Sequence, residues 1–130
     1  MSNLQKKSDN FKKSVARLQE ALEEYELNKS TTVRDGVIQR FEFCVELAWK
    51  TTREYLLEQG FLDLNSPKAV MREAYSYKII NNEQAWIQIL NDRNLTSHVY
   101  DEKTADEIFL RICTSHLPSL RDLSIYLCEE

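Results

Sequence analysis

The amino-acid sequence predicts an all-α fold in one domain, residues 1–130, with about five helices. Only 2 glycines and 2 prolines occur among the 130 residues, which disfavours a turn-rich β fold. Apolar residues recur at spacings of three, four and seven positions, as they do along one face of a helix. A hydrophobic content of 42% with 29% charged residues is typical of a globular domain with a substantial core.

The charge and the cysteines narrow the classes of function. With a net charge of -4, the field of the whole molecule repels nucleic acid, so RNA binding would need a local basic patch. No apolar run resembles a signal peptide or a membrane span, and we expect a cytoplasmic protein without a membrane partner. The three cysteines form no Cys-x-x-Cys pair and indicate neither a zinc site nor a disulfide framework. We expect Cys44 and Cys113 to be core residues.

Two long helices are predicted in the first half of the chain. The first runs from about Asn3 to Asn28 and carries one apolar stripe opposite a charged face. The second runs from about Val33 to Gln59 and follows a polar break in which either Thr31 or Thr32 can cap it. Gly60 is its natural terminator.

The second helix is apolar on more than one side. Two adjoining stripes are accompanied by a third set of apolar residues that points elsewhere, Phe43, Leu47 and Leu57. Such a helix is either central in its bundle or presents a face to a partner, and both can hold.

Two shorter helices are predicted next. One starts at Pro67 after an N-cap serine, Ser66, and runs to about Ile80. We expect five of its residues to face inward: Val70, Met71, Ala74, Tyr77 and Ile80. The other, which Asn81-Asn82 can cap, runs from about Glu83 to Thr96 and presents Trp86, Ile89 and Leu90 to the core.

The last helix is predicted from about Thr104 to Leu127. Asp101 or Thr104 can cap it, and the four residues from Thr104 fit a capping box. Pro118 is expected to kink or interrupt this helix. His116 lies beside the break with no acid or nucleophile pattern around it, so we assign it no function.

The stretch from Leu90 to Tyr100 carries the residue types that catalysis on a phosphate ester needs. The guanidinium of Arg93 suits phosphate oxygens, and His98 can exchange protons near neutral pH. The hydroxyl of Tyr100 can donate a hydrogen bond, act as a weak acid or accept a modification. Together these residues indicate a phosphodiester or nucleotide substrate. Since Arg-x4-His occurs by chance in many helices, spacing alone favours a capping or surface role for the histidine.

The spacing also limits how the arginine and the histidine can cooperate. At about 100° per residue, Arg93 and His98 lie roughly 140° apart around a regular helix. Three arrangements could bring them together: the helix loosens before His98, the arginine side chain swings round, or a second copy of the chain completes the site. Asn94 and His98, four residues apart, share a face.

Three segments of the chain resemble one known family. They are the helix from Gln39 to Lys50, the start at Ser66-Pro67-Lys68 followed by Arg72-Glu73-Ala74, and above all Asp92-Arg-Asn-Leu-Thr-Ser-His-Val-Tyr100. They are similar to the HEPN family, and in particular to its branch of nucleotidyltransferase substrate-binding proteins, which are paired with a minimal nucleotidyltransferase. The similarity extends from about Phe11 to Leu123, and its combination of segments is far more specific than Arg-x4-His alone.

The resemblance implies an up-and-down helical bundle that forms a homodimer, with the two motif copies facing one cleft. It implies that Arg93 and His98 are the catalytic residues of a metal-independent endoribonuclease. It further implies that the partner nucleotidyltransferase silences the enzyme by adenylylating Tyr100. We assign Asn94 and Ser97 to substrate binding, and we expect neither a metal nor another cofactor.

Three functions remain open from the sequence. The first is a toxin ribonuclease of a two-gene toxin–antitoxin module, acting on RNA. The second is a non-catalytic subunit that presents a nucleotide or other substrate to the partner nucleotidyltransferase. The third is an inert helical dimer in which Arg93 pairs with Asp92, Asp101 or Glu102. We rank the nucleotidyltransferase subunit first as a description, with ribonuclease activity as its mechanism.

Overall fold

The structure, a computed structural model, describes residues 2–129, and every regular element among them is helical. In chain order these are α1 (Asn3–Leu27), α2 (Thr31–Glu58), α3 (Pro67–Ser76), α4 (Glu83–Leu95), a 3₁₀ turn (Thr96–His98), α5 (Glu102–Arg111), a π-helical turn (Ile112–His116) and α6 (Leu117–Glu129). Since α5, the π turn and α6 follow one another without a break, residues 2–129 form five helical rods. The predicted all-α bundle is confirmed.

Helix α2 is the central element of the bundle. It runs antiparallel to α1, because Asn3 at the start of α1 hydrogen-bonds Glu54 near the end of α2, and Arg40 reaches back to the carbonyl of Arg17. It also packs against α3, α4, α5 and α6. At the same time Phe43 remains 60% exposed. The helix is therefore central in its bundle, as the first alternative predicted, and it leaves part of one face uncovered.

The core is continuous along the whole bundle. Its largest fully buried side chains come from almost every helix and include Phe11, Leu18, Phe41, Leu56, Met71, Ile89, Ile108 and Leu120. Burying a side chain of this size contributes about 1.5–3 kcal/mol relative to leaving it in water. The core therefore holds α4, whose last residues begin the Leu90 to Tyr100 stretch, firmly against α2.

The helix starts agree with the sequence in part. Ser66 and Asn82 cap α3 and α4 as predicted, each accepting a hydrogen bond from a backbone N–H three residues on. The cap of α2 is Ser30, so the prediction of Thr31 or Thr32 was wrong. Ser30 has the extended backbone that a cap requires, whereas both threonines lie inside the helix.

The start of α5 shows the same kind of difference. Asp101, one of the two predicted caps, accepts a hydrogen bond from the backbone N–H of Lys103. Thr104 lies inside the helix and donates its hydroxyl proton to the Asp101 carboxylate at 2.7 Å, so the capping box does not form. The Asp101 carboxylate is therefore hydrogen-bonded to groups at the start of α5.

Two helix ends use left-handed backbone conformations. Gly60 ends α2 as predicted, with a φ of 95° that a glycine adopts without strain. Helix α3 ends earlier than predicted, at Ser76, because Lys78 has a φ of 66° and turns the chain away. As a result Tyr77, which was expected to face inward, is 39% exposed, although Ile80 is buried.

The π-helical turn lies directly before Pro118. Proline has no N–H to donate to the carbonyl four residues earlier, and its ring crowds that carbonyl. The wider turn accommodates this, with the N–H of Leu117 donating to the carbonyl of Ile112. Pro118 therefore perturbs the helix without breaking it. Cys113 lies on this turn and is exposed, so only Cys44 of the two predicted core cysteines is buried.

Nowhere in residues 2–129 does a helix combine the length and the apolar character that crossing a membrane requires.

Candidate functional site

The end of α4 is anchored in the core by Asp92. Its carboxylate is fully buried and accepts two hydrogen bonds from Arg111, at 2.7 and 2.8 Å, and one of 2.7 Å from His116 Nε2. Gln88 donates a fourth at 3.0 Å. Burial opposes ionisation of this carboxyl, but the hydrogen bonds from His116 and Arg111 outweigh it and hold its pKa below the ordinary value. Asp92 is thus an ionised anchor joining α4 to α5 and to the π turn.

His116 is consequently a structural residue of the site. It is 2% exposed, stacks on Phe41 with ring centroids 5.4 Å apart, and donates through Nε2 because an ionised carboxylate can only accept. The π turn places it there, since His116 is the last residue of that turn.

Arg93, the next residue after Asp92, is held from the opposite direction by α2. Its Nε donates to Glu46 Oε1 at 2.7 Å, and its Nη1 lies 3.7 Å from Glu42 Oε2. Within residues 2–129 its two terminal nitrogens donate no hydrogen bond, and the side chain is 32% exposed. The guanidinium is therefore fixed at one edge, while its other edge can meet a ligand.

His98 and Tyr100 lie at the other end of the motif. Both side chains are exposed, and His98 Nδ1 lies 3.2 Å from the hydroxyl of Tyr100. When Nδ1 carries no proton, the phenol donates this hydrogen bond. Tyr100 is 78% exposed, so its hydroxyl is open to a reagent as large as a nucleotide.

The chain between Arg93 and His98 tightens rather than loosens. Helix α4 ends at Leu95, and Thr96–His98 form the 3₁₀ turn. The Thr96 hydroxyl lies 2.7 Å from both the Glu42 carboxylate and the carbonyl of Arg93, which ties the turn to α2. No hydrogen bond within residues 2–129 joins Arg93 to His98. The regular α-helix therefore ends before His98 by passing into the 3₁₀ turn, and Arg93 is turned to the acidic residues of α2.

A pocket of about 460 Å³ opens beside Arg93. It is lined by residues of α2, of the α3 start and of α4: Glu46, Trp49, Ser66, Pro67, Lys68, Leu90, Arg93 and Asn94. Of the predicted site residues, Arg93 and Asn94 line this pocket. Ser97, His98 and Tyr100 lie on the exposed turn that follows α4 and are not among the residues that line the pocket.

Sequence reasoning did not single out the acidic pair that holds the arginine. Glu42 and Glu46 are four residues apart on α2, which puts both carboxylates on one helix face, and this spacing was visible in the sequence. Their pairing with Arg93, 47 residues from Glu46, was not visible. The partners predicted for Arg93 in an inert protein, Asp92, Asp101 and Glu102, make other contacts: Glu102, for example, binds Arg34.

Comparison with known proteins decides the family. A family model described as "Nucleotidyltransferase substrate binding protein like" matches residues 6–128. The chain belongs to this family. The match covers almost the whole bundle, including α2, the pocket and the motif at the end of α4, and it confirms the family predicted from the sequence.

One curated relative and two solved structures are also similar to this chain. The chain is 31% identical over 85 residues, 62% of its length, to "Probable ribonuclease HepT" of Haemophilus influenzae. The aligned part spans 58% of that protein, less than two thirds of it.

A crystal structure of a Thermus thermophilus protein is 33% identical, with a TM-score of 0.74 and coverage of 92% of this chain and 96% of that one. Haemophilus influenzae HI0074, described as having the fold of a substrate binding domain of a nucleotidyltransferase, is 23% identical. Its TM-score is 0.80 over 92% of this chain and 98% of that one, which shows a shared fold.

Proposed function

We propose that this protein is the HEPN subunit of a two-component nucleotidyltransferase module of the toxin–antitoxin type. In this proposal it forms a homodimer whose cleft binds the phosphate of RNA or a nucleotide, and it cleaves RNA without a metal ion. The carrying observation is the arrangement at the end of α4: Arg93 is fixed by Glu46, its terminal nitrogens donate no hydrogen bond within residues 2–129, and the exposed pair of His98 and Tyr100 follows. The ribonuclease name of the H. influenzae relative supports the proposal.

The proposed chemistry is an intramolecular transesterification of RNA. The 2′-hydroxyl attacks the adjacent phosphorus and gives up its proton, and the bond to the 5′-oxygen breaks. This leaves a 2′,3′-cyclic phosphate and a 5′-hydroxyl end, the latter taking up a proton. His98 moves these protons, and Arg93 stabilises the charge that develops on the phosphorane oxygens. The Asp92 anchor and Glu46 hold the arginine in place and need not touch the substrate.

A second subunit would supply the other half of this site. Arg93 and His98 are separated by the 3₁₀ turn within one chain, so their cooperation on one phosphate calls for the histidine of a partner copy. Exposed apolar residues flank the region: Phe43 adjoins Glu42 and Leu95 adjoins Thr96, and they are 60% and 41% exposed. An apolar surface beside a half-site supports association of two copies.

Adenylylation of Tyr100 by a partner nucleotidyltransferase would regulate this site. The exposed hydroxyl lies 3.2 Å from His98 Nδ1, so a nucleotide attached there would displace that hydrogen bond and cover the imidazole. It would also add negative charge where RNA phosphate must bind. Intact-mass measurement after co-expression with the partner would show a mass increase that Tyr100→Phe abolishes.

A mixing experiment tests the composite site. Purified Arg93→Ala and His98→Ala proteins should each be inactive on RNA in the presence of EDTA. In an equimolar mixture, half of the dimers are mixed, and each carries one intact site of two, so activity should return to about a quarter of wild type. Products should end in 2′,3′-cyclic phosphate. Full activity of His98→Ala alone would remove the histidine from the mechanism, and a mixture without activity would refute the shared site.

One observation favours the alternative of a non-catalytic substrate-binding subunit. The charge of Arg93 is already opposed by Glu46 and Glu42, and a pocket of ligand size adjoins it. A protein that only presents a nucleotide to the nucleotidyltransferase would need this pocket but not His98. Absence of RNA cleavage, together with nucleotide binding and a stable complex with the nucleotidyltransferase, would decide for this alternative.

A further inference from the structure

The pocket beside Arg93 combines apolar walls with charged groups. Trp49, Leu90 and Pro67 supply the apolar part, and Lys68 and Arg93 supply two cations. Its volume of about 460 Å³ lies within the range of roughly 300–1,000 Å³ that is typical of small-molecule sites. A ligand with both a flat apolar portion and an anion would match this lining.

The two cations are available to an anion. Lys68 is exposed and has no ion-pair partner among residues 2–129. The terminal nitrogens of Arg93 donate no hydrogen bond within residues 2–129, although Nη1 lies 3.7 Å from the Glu42 carboxylate. The lining residues carry two cations and one carboxylate, Glu46, so the pocket is weakly positive in a protein whose net charge is -4.

The side chain of Trp49 is suited to stacking against a planar ring. Trp49 is partly exposed in the pocket wall, whereas Trp86 is 2% exposed in the core. The indole N–H of Trp49 is buried without a hydrogen-bond acceptor within the part of the chain that the structure describes, and Lys50 Nζ lies 5.9 Å from the ring centroid. Stacking of a base on an aromatic side chain contributes about 1–3 kcal/mol and tolerates different bases.

We propose that this pocket binds one nucleotide unit, with its base against Trp49 and its 5′-phosphate between Lys68 and Arg93. The inference rests on the proposed function in one respect, since both take the open edge of Arg93 to meet a nucleotide phosphate. It goes further in assigning a base-binding wall and a second phosphate-binding residue, each contributed by the same subunit as Arg93. A ribonuclease would use the pocket for a nucleotide next to the cleaved bond, and a substrate-binding subunit would use it for the nucleotide itself.

Calorimetric titration of the full chain with AMP tests the assignment. AMP should bind saturably, and adenosine and ribose 5-phosphate should each bind at least about tenfold more weakly, because each lacks one half of the recognised unit. Lys68→Gln should weaken AMP binding about tenfold and leave adenosine binding unchanged. The matched control is Lys13→Gln, an exposed lysine on α1, which should bind AMP like wild type.

Tryptophan fluorescence tests independently whether the base contacts Trp49. AMP should change the emission of the wild type, and the change should disappear in Trp49→Leu, whose fold is checked by far-UV circular dichroism. Equal AMP affinity of Lys68→Gln and Lys13→Gln, or ribose 5-phosphate binding as tightly as AMP, would overturn the inference. Neither result depends on RNA cleavage, so a failed cleavage assay counts against the proposed ribonuclease and not against the pocket.

Discussion

Replacing Asp92 by asparagine should destabilise the protein strongly although the volume of the side chain hardly changes. The buried carboxylate accepts hydrogen bonds from Arg111, His116 and Gln88. The amide has one acceptor oxygen and turns its NH₂ toward groups that are themselves donors. His116 has no access to water that could replace the lost partner, since its side chain is 3% exposed.

The burial of Asp92 and His116 sets the expected loss of stability in Asp92→Asn. Breaking a buried ion pair by removing one partner costs about 3–5 kcal/mol, because the remaining charge is left uncompensated. Arg111 is 34% exposed and can be partly solvated, which places the expected cost near the lower limit, about 3 kcal/mol. For a chain of 130 residues this corresponds to a decrease in Tm of about 10 °C.

Urea denaturation at pH 7, followed by far-UV circular dichroism, measures the change. The midpoint should fall for Asp92→Asn while the m-value stays the same. The control is Glu26→Gln, which removes an exposed ion pair with Lys29, 3.8 Å long, and should change the free energy of unfolding by less than about 0.5 kcal/mol. If Asp92→Asn lost less than about 1 kcal/mol, the hydrogen-bond network around Asp92 would not be the anchor of α4 described above.

Two further predictions concern ionisation. Because the pKa of Asp92 is lowered in the folded state, its contribution to stability is complete above the unfolded pKa, about 3.9, and is lost as the pH falls through the lower folded pKa. The difference in unfolding free energy between wild type and Asp92→Asn should therefore be constant from pH 7 to about pH 5 and shrink below about pH 4 in urea titrations; growth of the difference on acidification would contradict this. Burial raises the pKa of the Cys44 thiol to about 12, so iodoacetamide at pH 8 should label exposed Cys113 before Cys44, with Cys44 modified only in urea. Peptide mapping by mass spectrometry shows the order, and early labelling of Cys44 would mean that the core opens more readily than its packing indicates.

The adjacent residues Asp92 and Arg93 are held by different parts of the bundle. Asp92 is held by α5 and the π turn, and Arg93 is held by α2, so the last turn of α4 is fixed from both sides. In the proposed site, a guanidinium gains from such rigidity because little conformational freedom remains to be lost when a phosphate binds. The π turn before Pro118 contributes to this arrangement at a distance, since it carries His116 to the carboxylate.

Local signals in the sequence were sufficient to predict where most of the helices lie. The caps at Ser66 and Asn82 and the terminator at Gly60 act over three or four residues, and the structure confirms them. The errors in the helix caps arose where neighbouring residues competed, whereas α3 ended earlier than predicted because Lys78 turns the chain. Ser30 caps α2 in place of the threonines, and Thr104 became a helical residue that bonds the actual cap, Asp101. Composition and spacing do not choose between neighbouring residues that can all cap.

The candidate site was only partly accessible from the sequence. The residue types of Arg93, His98 and Tyr100 indicated phosphate chemistry, and the structure places His98 and Tyr100 within a hydrogen bond of each other because they are two residues apart. The sequence could not show that Arg93 pairs with Glu46, or that Trp49 lies in the wall of the same pocket.

The sequence by itself determined the helical class, the family and the motif, because periodicity, capping and residue type are properties of short stretches of chain. The tertiary structure alone decided which groups meet. His116 reached Asp92 across 24 residues, and Lys68 came to the same pocket as Arg93 through the packing of α3 and α4 on α2. Such contacts depend on how helices pack together, and that packing is set by the shape of the whole core rather than by any one stretch.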